Sequence, residues 1–282
     1  MIWVTLVAVV SFLLVPGTAL AFGPVAHLES IRGALQAGAP ALSFVTSSGV
    51  EIFWALLYGS IAPDLFVAKN RQYFTYHTHN WDRAFSMLDA AADLQERAFS
   101  LGYLAHLAGD VIAHNVFVPY KMVEIPFSSS RRHAYWEYRF ETAHPPEAWE
   151  SMEAIKGLDF RHLHGFLERH QRPTYLPFNT NLAVVRSLVR ATTGASGRRF
   201  LDRMERRSEV GIAPLEAQLF RDLCLEAVMD VLERGPRAEV MRHDPRGMDR
   251  IRHAQALTVS LRRLWRRGFG GREHYQALAE AA

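Results

Sequence analysis

Apolar residues recur at three- and four-residue spacing along most of the chain, and strict two-residue alternation is scarce. Residues 42–57 read as an apolar helix interrupted at Ser47-Ser48-Gly49, and 59–64 as a turn, because Pro63 lacks a donor and disfavours helix at Ala62. Helices are predicted over 81–94 and 98–117. Ser128-Ser129-Ser130 can cap a further one over 131–143, which Pro145-Pro146 stops. The same periodicity predicts helices over 148–155, 160–171, 181–192, 196–207, 214–234 and 248–267. No internal repeat or low-complexity segment interrupts the pattern. The expected fold class is all-α, a multi-helix bundle.

The first segment stands apart. Residues 2–15 are uncharged and almost wholly apolar, Pro16-Gly17 break the run, and Ala19-Leu20-Ala21 has the small-x-small form that signal peptidase reads. An apolar core of ~14 residues is short of the about 20 that a bilayer span needs. The expectation is a signal peptide over 1–21 and a single domain over 22–282, exported to the periplasm or beyond and beginning Phe22-Gly23-Pro24. The alternative is an uncleaved N-terminal membrane anchor.

With 49% hydrophobic and 22% charged residues in 282, the composition is that of a globular protein and not of a disordered or fibrous one. The single cysteine, Cys224, excludes an intramolecular disulfide and any multi-cysteine zinc site. The net charge of +3 divides unevenly: residues 1–150 carry 9 basic against 13 acidic side chains (−4), and 151–282 carry 23 against 16 (+7). An Arg-rich C-terminal part suits phosphate-bearing partners, or is simply a solvated helix face. In 248–267, Arg262-Arg263 and Arg266-Arg267 flank Leu261, Leu264 and Trp265, as in an amphipathic helix meeting an anionic membrane or an ordinary packed helix with a charged outer face.

The chemistry concentrates in His106, Asp110 and His114. Four residues of α-helix turn ~400°, so these three form one polar stripe in an otherwise apolar helix. Burying them is costly unless they are paired or bound to metal, and imidazole with carboxylate suits zinc. His133 and Glu137 repeat the spacing on the next helix. Asp64 adds a carboxylate at a turn, His77 and His79 add two imidazoles, and His27 lies near the expected mature terminus. Individually each has a plain structural reading, such as a surface pair or a satisfied core histidine. Together they form a donor set able to hold several metal ions.

FGPVAHL, GSIAPD, HTHNWD, GYLAHLAGDVIAH and HAYWE, running from Phe22 to Glu137, resemble in content and order the zinc-dependent phospholipase C family. That family includes the bacterial phosphatidylcholine-hydrolysing enzymes and the catalytic domain of glycosylphosphatidylinositol-specific phospholipase D. The chain is also similar to the related three-zinc single-strand nucleases. The resemblance implies a helical bundle around a trinuclear zinc site. It implies one zinc on Asp64, His79, His106 and Asp110, and a second on His114, His133 and Glu137. A third would sit on the α-amino group and carbonyl of Phe22 with His27, Asp110 bridging. His77 competes with His79 for its place. Relatives usually begin the mature chain with Trp, so Phe22 is a departure, although backbone atoms do the ligating.

Clustered zinc ions suit phosphodiester hydrolysis, since they lower the pKa of water toward about 7 and neutralise phosphate oxygens. The resemblance therefore implies an exported, monomeric phospholipase C. Its substrate would be a phospholipid met in transient contact with a membrane surface, and its products diacylglycerol and a phosphorylated headgroup. Asp64 is the candidate for orienting or deprotonating the attacking water. The alternatives are a nuclease-type phosphodiesterase and a membrane-anchored, non-catalytic zinc-binding relative.

Overall fold

The computed structural model describes residues 23–66, 77–124, 132–171, 176–193 and 211–267. Among them the chain is helical and contains no strand. In chain order the helices are α1 (Pro24–Gln36), α2 (Ser43–Ser47), α3 (Val50–Gly59), α4 (Trp81–Asp89) and α5 (Leu94–Ile112). There follow α6 (Val118–Glu124), α7 (Arg132–Thr142), α8 (Pro146–Ile155), α9 (Arg161–His170), α10 (Phe178–Thr193), α11 (Pro214–Arg234) and α12 (Met248–Arg266). None of these helices is long and apolar enough to cross a membrane.

Helix α5 is the axis of the bundle. Every residue from Ala98 to Val111 is buried, so its whole circumference faces protein, as an all-round apolar helix requires. Helices α3, α11, α4 and α1 pack around it. Its crossing with α3 is unusually close, and glycine on each side is the reason. A Cβ on Gly59 would lie 2.0 Å from the Phe99 carbonyl oxygen, and one on Gly102 would lie 2.1 Å from the Leu56 carbonyl oxygen. Only hydrogen at those two α-carbons lets the backbones touch. Two turns further on, a Cβ on Gly109 would come within 3.2 Å of His27 Nδ1, so this glycine admits an imidazole from α1.

Two apolar clusters flank this axis. The larger joins α1, α3, α4, α5, α8, α9 and α11. The smaller, built on Phe117, Met122, Trp136, Phe140, Phe220, Cys224 and Ile251, joins α6, α7, α11 and α12. Val25 and Val111 belong to the first and Ala26 and Ala113 to the second, so the polar residues beside them lie on the seam between the two.

Local chemistry explains most boundaries. Asn80 caps α4 by accepting from Arg83 N–H at 3.1 Å, and Asp93 caps α5 by accepting from Glu96 N–H at 2.8 Å. The continuous helix expected over 81–94 therefore ends at Asp89, because Asp93 starts the next helix rather than extending the last one. The helix expected over 98–117 begins earlier, at Leu94, and its end is a π-helical turn, Ala113–Phe117, that runs on into α6. Pro146 begins α8 at its first position, where a missing N–H costs nothing, so that helix starts two residues before the predicted one. The helix expected over 196–207 and the Ser128–Ser130 cap lie outside the described residues. On α12, Ile251, Ala254, Thr258 and Leu261 are buried against the bundle, which makes it a packed helix with its charged face outward.

Candidate metal centre

Three elements deliver side chains to the seam. Helix α5 supplies His106 and Asp110 on one face, α1 supplies His27, and the 3₁₀ turn Ala62–Leu65 supplies Asp64 beside the close α3–α5 crossing. His79, in the segment before α4, completes the group. The separations are short. His79 Nε2 lies 2.9 Å from Asp110 Oδ2 and 3.1 Å from His106 Nε2, and His106 Nε2 lies 3.3 Å from Asp110 Oδ2. Asp64 Oδ1 lies 3.4 Å from His79 Nε2 and 3.9 Å from His106 Nε2, while His27 Nε2 lies 3.4 Å from Asp110 Oδ1.

What His106 and Asp110 lack between them is a proton to share. His106 Nδ1 donates to the Ser60 carbonyl at 2.8 Å, so in the neutral ring Nε2 carries a lone pair. That lone pair faces the Asp110 carboxylate and His79 Nε2. Both Asp110 oxygens are out of water and accept no well-directed hydrogen bond. Acceptors converging on acceptors repel unless a cation lies among them. The spacing suits one. The edge of a tetrahedron is about 1.63 times its radius, or about 3.3–3.4 Å for ligands 2.0–2.1 Å from zinc. The five separations among Asp64, His79, His106 and Asp110, from 2.9 to 3.9 Å, bracket that edge.

His114 and Glu137 form a second pair, with Nε2 3.2 Å from Oε1. His114 Nδ1 donates to the Pro245 carbonyl at 2.7 Å, so this imidazole too presents Nε2 to a carboxylate. His133 lies one helical turn before Glu137 on α7, and its side chain falls outside the described residues, as does Phe22. His77 is buried beside the first group, but its Nδ1 accepts the His79 N–H at 3.0 Å. It thereby orients the His79 backbone, while His79 presents its own Nε2 to Asp64 and Asp110.

The electrostatics divide the histidines. Burial, helped by the field of His106, holds His27 down at about 4, neutral and ready to ligate at pH 7. Burial also opposes charge on His114, but Asp110, Glu137 and the Pro245 carbonyl outweigh it and raise the group to about 9. Burial opposes charge on Asp110, yet His106, His114 and His27 together hold its carboxyl well below the usual range. Asp64 is the one carboxylate of the first group with a window to solvent, its side chain 13% exposed against 0% for Asp110. It marks the open side of the centre.

Several contributors carry little or no sequence signal. Ser60 and Pro245 act through backbone carbonyls. Glu141 is buried at the start of α1, accepting the N–H groups of Val25 at 2.8 Å and Ala26 at 3.2 Å from α7, and so fixes the helix that carries His27. Its carboxylate fills the space a Cβ on Gly23 would need. Its position four residues after Glu137, on the same helix face, was the available clue. A separate His/carboxylate group, Asp93, Glu96 and His162, lies at the exposed start of α5, where Asp93 and Glu96 act as helix caps and Arg169 pairs with Glu96.

Residues 50–170 match the family model described as zinc dependent phospholipase C. No curated protein and no solved structure matches the chain.

Proposed function

We propose, from the match of residues 50–170 to the zinc dependent phospholipase C family model, that the chain is an exported phosphodiesterase of the phospholipase C type. Its substrate on this reading is a phospholipid, cleaved to diacylglycerol and a phosphorylated headgroup. The observation that carries the reading is the convergence of Asp64, His79, His106 and Asp110 at the separations of a zinc tetrahedron's edges, with the His106 Nε2 lone pair facing the Asp110 carboxylate.

We assign that set to one zinc ion. A second would be held by His114, His133 and Glu137, and a third by His27, Asp110 and the amine and carbonyl of Phe22. The neutral state of His27 supports its part in the third. Zinc held there supplies the Lewis acidity that draws phosphate oxygens in and brings water toward neutral acidity. The protein's own share is orientation and proton handling. Ser60 and Pro245 carbonyls lock His106 and His114 with Nε2 inward. Asp64, the solvent-facing carboxylate, orients the attacking water and takes its proton as the oxygen adds to phosphorus. The phosphorus–oxygen bond to the glycerol breaks, and the departing alkoxide receives the proton that Asp64 took from the water, leaving as diacylglycerol. Burial of Asp110, His106 and His27 keeps bulk water away from the remaining faces.

The test is a substrate comparison on the purified, zinc-loaded protein. Phosphatidylcholine vesicles should release diacylglycerol and phosphocholine, and chelation should abolish this until zinc is restored. Cleavage of single-stranded nucleic acid with intact lipid would replace the lipid reading with the nuclease one. Neither activity in a fully loaded protein would leave a non-catalytic relative.

A further inference from the structure

Beyond the matched family region, residues 243–247 of the C-terminal part meet the centre through backbone carbonyls. Between the 3₁₀ turn Glu239–Arg242 and α12, residues 243–247 read His-Asp-Pro-Arg-Gly, and Asp244-Pro245-Arg246-Gly247 is a β-turn. Its sequence has the turn's chemistry: Asp at the first position, Pro at the second, Gly at the fourth. Gly247 N–H donates to the Asp244 carbonyl at 2.9 Å. The Asp244 side chain accepts Arg246 N–H at 3.1 Å and pairs with its guanidinium.

The turn aims three consecutive carbonyls at the metal-bearing half. His243 C=O accepts Trp81 Nε1–H at 3.0 Å, Asp244 C=O accepts Asn115 Nδ2–H at 2.9 Å, and Pro245 C=O accepts His114 Nδ1–H at 2.7 Å. Gly247, at φ 53°, lies so close to the π turn that a Cβ would stand 2.2 Å from the His114 carbonyl oxygen. A left-handed φ and the absence of a side chain are both needed for this approach. The donors are three different side chains, His114 and Asn115 of the π turn and Trp81 at the start of α4, and each is met by a backbone group that no side-chain substitution in the turn removes.

We infer that Asp244-Pro245-Arg246-Gly247 is the positioning element of the His114–Glu137 half of the centre. It fixes the His114 ring with Nδ1 protonated and Nε2 turned to Glu137. Asp244 and Gly247 are the residues that hold the turn in place, and Asn115 and Trp81 dock it. This rests on the zinc reading above. It goes further by giving residues outside the family match a role at one metal and not at the others. Outer partners of ligating imidazoles typically set metal affinity by about 10–100-fold.

The experiment measures zinc stoichiometry by native mass spectrometry and zinc affinity by chelator competition, on the wild type and on Asp244→Ala, Asp244→Asn, Asn115→Ala and Gly247→Ala. Asp244→Ala, Asn115→Ala and Gly247→Ala should each weaken one zinc ion by about 10-fold or more, leaving the affinity of the others unchanged. Asp244→Asn, which keeps the oxygen that accepts Arg246 N–H, should restore most of it. A merely structural turn would lower thermal stability and weaken every ion alike, or none. If Gly247→Ala fails to fold, the other variants decide. Wild-type affinity at every ion in Asp244→Ala and Asn115→Ala would overturn the positioning role with the zinc reading intact. A wild type that takes up no zinc would overturn both.

Discussion

The sharpest consequence of the fold concerns a glycine that has no side chain to offer a metal, one helical turn before His106. Gly102→Ala adds one methyl group where α3 and α5 cross, 2.1 Å from the Leu56 carbonyl oxygen and 2.8 Å from Ser60 N. Ordinary carbon contacts to such atoms begin above 3.0 Å. The obstructing atoms are backbone, so no side chain can swing aside, and α3 must retreat by roughly 1 Å. Overpacking of this kind costs about 1–3 kcal/mol. At roughly 2–4 °C per kcal/mol for a domain of 150–250 residues, the apo protein should melt several degrees lower. The displacement falls directly on the site. Ser60, whose carbonyl holds His106 Nδ1, follows the last residue of α3, and Asp64 lies in the turn beyond it. Zinc ligation tolerates about 0.2 Å of error in ligand distance, several times less than the required movement. Gly102→Ala should therefore lose tight zinc binding at Asp64, His79, His106 and Asp110 while His114 and Glu137 keep theirs. Calorimetric melting of the apo protein, with zinc counting on the same sample, gives both numbers. A variant with wild-type melting temperature and a full, tight zinc complement would refute the claim that backbone contact at this crossing sets the site.

Further outcomes follow from the charges. Asp64→Asn, measured on protein that holds the wild-type number of zinc ions, should lower kcat for phosphodiester cleavage by about 10²–10⁴-fold; a loss under tenfold would remove Asp64 from proton transfer. His114, raised to about 9, holds a proton in the zinc-free protein at pH 7 and must release it to ligate. Titration calorimetry in buffers of different ionisation enthalpy should therefore show proton release on zinc binding, and buffer-independent heats would contradict it. Glu141 is raised from its ordinary 4.5 to about 8 by burial, which the Val25 and Ala26 N–H groups only partly offset. Between those values the unfolded chain loses this proton first, so stability of the zinc-free protein should fall as pH rises through 4.5 to 8 and level off beyond. Chemical denaturation of Glu141→Gln should show a flatter profile across that window, and an unchanged slope would exclude Glu141 as its source.

How far the sequence reaches can be judged element by element. Helix α11 runs over Pro214–Arg234 as its periodicity predicts, because Pro214 at the first position and Gly235 after the last mark both ends locally. Helix α9 falls one residue short at each end of its predicted span. The stripe of His106 and Asp110 was legible because it depends only on helical pitch. His114 was legible as a residue, but the π turn that carries it was not, since its docking partners come from the turn at residues 243–247. Ser60, Glu141 and Pro245 escaped for the same reason. They meet the site across 46, 116 and 131 residues of chain, and two of them act through carbonyls that every residue type possesses. Gly102 and Gly109 were visible as mid-helix glycines, yet only the packed helices reveal what each one admits.

The central claim is that zinc occupies the seam between the two apolar clusters. Anomalous X-ray diffraction across the zinc edge, on crystals of the zinc-loaded protein, tests it without reference to activity. One anomalous peak is expected among Asp64, His79, His106 and Asp110, about 2.0–2.2 Å from their ligating atoms, with another beside His114 and Glu137. A loaded crystal with no anomalous density there, and with protons or water linking His79, His106 and Asp110 instead, would contradict the account at its root.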